Sequence, residues 1–230
     1  MELERLELLV GGKIEKIKDL KVLVIGVGGV GGYAVEGLVR CCIKHITIVD
    51  YDVVDITNIN RQIIALHSTV GKKKVEVFKE RILDINPHCE VETFDFFYEE
   101  SKSDILFKNS YDYIVDCCDS IKSKESIIKE AVKRNIKIIS SMGAGFKLDP
   151  TKIEIAKLKN TSYDKLASIL RRSLRDDKKC LEIPVVYSKE EVLKHDKVIA
   201  SNSFIPSIFG LFMVSYIIND IVKGENNGKN

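Results

Sequence analysis

Four glycines in the pattern GxGGxG, Gly26, Gly28, Gly29 and Gly31, stand directly after an apolar run and directly before a helical stretch. Glycine at such a junction lets the backbone turn tightly and bring its N–H groups against phosphate at a helix N-terminus. Asp50 follows at about the 20-residue spacing at which a carboxylate receives a ribose hydroxyl pair. These two features alone suit a dinucleotide-fold dehydrogenase, or a non-catalytic nucleotide sensor. Hydride transfer has little use for what comes next: Asp52, then Asn58, Arg61 and Gln62 in NINRQ, Lys74 in GKKKVE, and Asp119 in DCCDS. Splitting a triphosphate, by contrast, calls for cations on the phosphate oxygens and a carboxylate to hold magnesium as pyrophosphate leaves. Arg61, Lys74 and Asp119 supply that set.

The elements that position these residues read as alternating strands and helices. Lys21 to Ile25 (KVLVI) is a continuous apolar run rich in β-branched residues, the mark of a buried parallel strand. His45 to Val49, Glu90 to Phe97, Tyr113 to Asp116 and Lys137 to Ser140 read as further strands. Helices are expected over Gly31 to Cys41, Lys72 to Asn86 with Pro87 closing it, and Lys124 to Arg134. Alternating β and α predicts a doubly wound, mostly parallel α/β sheet of Rossmann-like type. Right-handed crossovers bring the loops after each strand to one edge, so Gly26, Asp50 and Asp119 should converge there. The reading is one domain over 1–230, with a nucleotide-binding core in 1–150 and a smaller C-terminal extension in 151–230.

At 230 residues the chain can bury one sizeable core, and 45% hydrophobic with 30% charged residues places it among globular proteins. A net charge of +2 gives no whole-molecule field for a polyanion, so a nucleic acid would have to be met by local clusters. Two exist: Lys72 to Lys74, and Arg171, Arg172, Arg175, Lys178 and Lys179 on or after an amphipathic helix from Lys165 to Arg175. The six cysteines contain no CxxC that could grip zinc and are expected to be reduced and mostly buried; Cys180, in a polar, exposed stretch whose lysines would lower its pKa, is expected to be an incidental thiol rather than a reactive one. Glu2, Glu4, Arg5 and Glu7 among the first leucines are unlike a signal peptide, and a cytoplasmic protein is expected. Val198 to Asn219 carries no charge, but Ser201, Asn202, Ser203, Pro206, Gly210 and Ser215 interrupt it. Its part from Ile208 to Ile218 is expected to be a buried core helix rather than a membrane span. The polar tail Gly224 to Asn230 is the one low-complexity tract.

Taken together, GVGGVG, DYDVVDITNINRQ, GKKKVE and DCCDS resemble the ubiquitin-activating superfamily, over most of the chain. Within it, SMGAGFKLDPTKIEIAKL (Ser141 to Leu158), LRRSLR and VVYSKE (Val185 to Glu190) are similar to the tRNA threonylcarbamoyladenosine dehydratases. The resemblance implies ATP and Mg2+, with Asp50 on ribose, Arg61 and Lys74 on phosphates, and Asp119 on magnesium. It also implies a homodimer in which Arg5 reaches the partner's ATP. The implied reaction adenylates the threonine carboxylate, after which the modification's own carbamoyl group attacks it, closing a ring with loss of water. A carboxylate already beside its nucleophile reacts at high effective molarity, so no protein nucleophile is required. The alternative is activation of the C-terminal carboxylate of a ubiquitin-like sulfur carrier, and a sulfur-transfer protein is a candidate partner in either case. The carrier enzymes commonly hold zinc through paired CxxC motifs, which are missing here. The chain also departs from the dehydratase pattern at Gly32, usually serine, and at Ser162 to Leu166, where SYDKL replaces an Asp-Pro-Leu; at Ser120 it departs from the carrier-activating relatives, which have asparagine there.

Overall fold

The computed structural model describes residues 2–192 and 198–224; the end of the polar tail, 225–230, lies outside the described residues. Two short helices, α1 (Glu4–Val10) and α2 (Ile14–Lys18), precede β1 (Lys21–Ile25) and α3 (Gly31–Arg40). Then come β2 (His45–Val49), α4 (Lys74–Ile85), β3 (Glu90–Phe94), α5 (Ser103–Leu106), β4 (Tyr113–Asp116), α6 (Ile121–Arg134) and β5 (Lys137–Ser141). The chain continues through β6 (Ile153–Lys157), α7 (Lys165–Ser173), α8 (Lys178–Leu181), β7 (Pro184–Ser188) and α9 (Phe204–Lys223). All seven strands form one sheet in the order β3-β2-β1-β4-β5-β7-β6. Every pairing is parallel except β6 with β7.

The first five strands fall where the apolar runs predict them, with β3 shorter: its hydrogen-bonded part stops at Phe94, after which Asp50 N–H still reaches the Phe94 carbonyl at 3.2 Å. Strands β6 and β7 are additions that the sequence pattern did not single out. They extend the same sheet from the first half of the chain into the second. Alternate residues of the central strands feed two cores. Val22, Val24, Ile46, Ile48 and Val115 face α3, α4 and α9, whereas Leu23, Ile25, Val49 and Ile114 face α6, α7 and α8.

Helix α9 has a mean hydropathy of 1.7 and is long enough to cross a membrane. Its Ile205, Phe209, Met213 and Ile217 are fully buried at helical spacing, so that face belongs to the protein core. Close packing on α3 depends on Gly210, where a Cβ would lie 2.4 Å from the Val30 carbonyl oxygen and 2.8 Å from Ala34 N.

Candidate active site

Register explains why the site sits where it does. Ile25 lies opposite Val49 on one side and Asp116 on the other, so the three chain segments leave the sheet side by side. Gly26 N–H then donates to Val49 O and Cys117 N–H to Ile25 O, both at 2.8 Å. The glycine turn is tight: Gly26 has φ +84°, and a Cβ on Gly31 would sit 1.8 Å from the Gly26 carbonyl oxygen. Only glycine fits either place.

A cleft of about 360 Å³ opens above this edge, within the range of cofactor-sized sites. Gly26, Gly28, Gly29, Asp50, Asp52, Asn58, Arg61, Gln62, Lys74 and Asp119 all line it, so ten of the residues singled out by type and spacing meet in one place. Gly31 lies just beneath, packed on Gly26. Arg5 does not join them; it is exposed on α1, outside the cleft of its own chain.

The long connection after β2 doubles back to bring Lys74 beside Asp52. An antiparallel bridge pairs Val53 with Lys73, and Lys74 N–H donates to Asp52 O at 3.0 Å. The Lys74 ammonium, buried at the start of α4, then meets Asp52 Oδ2 at 2.6 Å. Between them a single helical turn, Ile56–Asn58, is closed by a capping box: Thr57 N–H donates to Asp55 and Asp55 N–H to Asn58 Oδ1. The Asn58 carbonyl accepts from both Arg61 N–H and Gln62 N–H, which aims these two side chains together. Arg61 Nη1 is anchored on Thr57 O and Asn60 Oδ1, each at 2.8 Å. Gln62 Oε1 is buried and, among the described residues, is the one buried side-chain oxygen without a hydrogen-bond partner. In a cleft wall, such a group is available to a ligand donor.

Asp50 is buried, and each carboxylate oxygen accepts one backbone N–H, from Val27 at 2.8 Å and from Asp52 at 2.9 Å. Burial pushes its carboxyl above the ordinary range, against the pull of Lys74 and those two N–H groups. Asp119 contrasts with it: the carboxylate is exposed at the cleft and, among the described residues, makes no hydrogen bond or ion pair. Tyr51, Phe96, Phe97 and Tyr98 form an aromatic wall, with Tyr51 edge-on to Phe97 at 5.2 Å. Ala144, Gly145, Ile199, Ser201 and Pro206 also line the cleft, and sequence reasoning missed all of these contributors because nothing in their types signals a site.

Several expectations need correction. Cys180 is fully buried on α8, not exposed, and burial with the neighbouring Asp177 charge pushes its thiol up to about 12. Native protein is therefore expected to leave Cys180 unmodified by iodoacetamide, as peptide mass mapping will report; labelling at the rate of an unfolded control would contradict the placement. The lysines at 72–74 do not form one basic surface either, since Lys74 points into the cleft and Lys73 pairs with Asp95 at 2.6 Å. Arg171 is likewise committed, donating to Thr161 Oγ1.

Two departures from the family pattern find physical reasons. Asp164, in SYDKL, is buried; it caps α7 by accepting Ala167 N–H at 2.8 Å and ties down the Gly143 turn at 3.0 Å. At Gly32 a Cβ would meet the Phe78 ring at 2.9 Å, so serine does not fit without movement. Gly32→Ser is expected to destabilise the fold by about 1–3 kcal/mol through overpacking. A urea midpoint equal to that of the parent protein would show that Phe78 yields freely.

A doubly wound sheet with its glycine turn, buried aspartate and charged cleft at the strand ends defines the class, and the chain belongs to the ThiF family, whose model matches residues 3–228. Within that family it is similar to the tRNA threonylcarbamoyladenosine dehydratase of Bacillus subtilis, at 40% identity covering 96% of this chain and 95% of that one. The enzyme of that name from Haemophilus influenzae is 36% identical, covering 93% and 90%. Among solved structures, the Escherichia coli tRNA N6-threonylcarbamoyladenosine dehydratase in complex with ATP superposes with a TM-score of 0.90 at 32% identity, covering 97% of this chain and 94% of that one.

Proposed function

We propose that this chain is an ATP-dependent tRNA threonylcarbamoyladenosine dehydratase. The observation that carries the reading is that Arg61, Lys74 and Asp119, delivered by separate connections, share one cleft with the glycine turn and Asp50. The full-length similarity to dehydratases supplies the substrate.

The glycine turn and the start of α3 receive the phosphates, Asp50 the ribose, and the aromatic wall the base. A threonine carboxylate oxygen attacks the α-phosphorus, and Lys74 and Arg61 offset the charge that builds as pyrophosphate departs. The carbamoyl group of the same modification then attacks the activated carbonyl, loses a proton and expels AMP, which carries away the carboxylate oxygen. Net loss from the nucleoside is one water.

Magnesium fits the donors present. No cluster of three or more acidic, His or Cys side chains exists among the described residues, and Mg2+ does not need one, since it binds through one or two carboxylates plus substrate phosphates. Asp119 is the carboxylate we assign to it. When bound, the ion would neutralise phosphate charge. We assign nucleotide binding chiefly to 1–150 and substrate contact to 151–230, from which Ile199, Ser201 and Pro206 reach the cleft.

Arg5 requires a second copy of the chain. Leu8 and Leu9, exposed on the same helix, give α1 an apolar face for a partner to cover. Six free thiols accord with a reducing cytoplasm.

The test is mass spectrometry of nucleosides from threonylcarbamoylated tRNA incubated with the protein, ATP and magnesium, beside Asp119→Ala. Loss of one water in the first and not the second is the expected result. An unchanged nucleoside from protein that binds ATP would overturn the tRNA substrate.

A further inference from the structure

Beneath the loop carrying Asp119, three polar side chains are sealed inside the protein. Asp116 at the end of β4, Lys124 in α6 and Ser140 in β5 are 0%, 1% and 0% exposed. Lys124 Nζ donates to Asp116 Oδ2 at 3.0 Å, and Ser140 Oγ–H donates to the same oxygen at 2.6 Å. Lys124 also reaches the Asp116 carbonyl at 3.4 Å and Ser140 Oγ at 3.3 Å. The remaining carboxylate oxygen, Oδ1, accepts the Cys118 N–H at 3.2 Å and the Cys118 thiol at 3.0 Å.

A buried ion pair is poor value as a packing element, because apolar residues of equal volume often stabilise as well or better. This one has a different output. Both bonds of its free oxygen go to the residue immediately before Asp119, while the other side of the same loop rests on Gly26, where a Cβ would lie 2.9 Å from the Cys117 carbonyl. The turn is therefore gripped from beneath and from the flank.

We propose that Asp116, Lys124 and Ser140 are positioning residues that hold the Cys117–Cys118–Asp119 turn in the one conformation that presents the Asp119 carboxylate to the metal on ATP. The inference rests on Asp119 being the metal ligand. It touches neither substrate nor ion itself, and acts through the backbone of Cys118.

The experiment compares the ATP dissociation constant in excess Mg2+ with that in EDTA; their ratio is the metal-dependent tightening. Asp116→Val combined with Lys124→Met removes both charges, and the carboxylate's grip on Cys118, with only a small change in side-chain volume. The double variant is expected to keep the EDTA constant of the parent and to lose about tenfold of the tightening, the usual cost of removing support around a metal ligand. Lys124→Arg, which keeps the charge and the donors, is expected to retain it. Asp119→Asn is the reference: if it too preserves the tightening, the metal assignment fails and this proposal with it. If Asp119→Asn abolishes the tightening and the double variant keeps it in full, the metal assignment stands and the positioning role is overturned. Should the double variant not fold, Ser140→Ala decides, since it leaves both charges in place: a reduced ratio supports the proposal and a parental ratio overturns it.

Discussion

Lys74→Met is expected to slow adenylate formation by about 100- to 1,000-fold, the loss typical when one preorganised charge-stabilising group is removed. Lys74 is 3% exposed and held on Asp52 Oδ2 at 2.6 Å, so its ammonium is in place before the triphosphate arrives and little reorganisation is needed. Methionine fills most of the lysine stem's volume, and the Asp52 side chain, 43% exposed, can be rehydrated, so the fold should survive. Pyrophosphate release in single turnovers, with ATP binding followed separately, tells the role apart. A fall in turnover with ATP affinity largely kept means that Lys74 acts on charge developing in the transition state. A drop of less than about threefold would instead mean that Lys74 does not act on the departing pyrophosphate, because a group without charge to stabilise in the transition state has no such leverage.

Gly31→Ala is expected to lower turnover by about 100-fold or more. The added methyl would lie 1.8 Å from the Gly26 carbonyl oxygen and 3.1 Å from Cys117 Cβ, and neither neighbour is the movable end of a flexible side chain. The turn must open by an ångström or more, and a displacement of that size at reacting groups costs about 100-fold in rate. ATP binding by calorimetry and circular dichroism should be read together: a folded protein that no longer binds ATP is the expected state. A variant with parental ATP affinity would mean that phosphate does not sit on this turn.

The most legible parts of the molecule were those where chemistry and periodicity agree. KVLVI followed by GVGGVG leaves little choice but a buried strand feeding a tight turn, and the strand-end rule then brings Asp50 and Asp119 together without further information. Strand β6 was less visible. IEIAK lies at the sheet edge with Ile153 buried, Ile155 exposed and Ala156 half-buried, too short and too charged to stand out from the loop around it. The Asp116–Lys124 pair escaped for a different reason. In IKSKESIIKE every lysine reads as surface charge, and only the three-dimensional path reveals that Lys124 points down. A signal did exist: Asp116 closes the otherwise apolar strand YIVD, and a carboxylate at such a position has to find a counterion. Cys180 misled through its neighbours, since on a four-residue helix Lys178 and Lys179 can turn outward while the next residue turns in.

The packing of α9 on α3 shapes how the protein is made. The two helices are separated by about 160 residues, which at roughly 5–20 residues per second puts about 10–30 s of synthesis between them on the ribosome. In the last third of that interval the five strands β1 to β5 can already pair, yet the groove above Val30 and Ala34 that will receive Gly210 lies bare. A nascent chain in that state presents a sticky apolar trench beside a finished glycine turn. Until the last helix emerges, the face of α3 that packs on α9 in the finished protein has no cover from it.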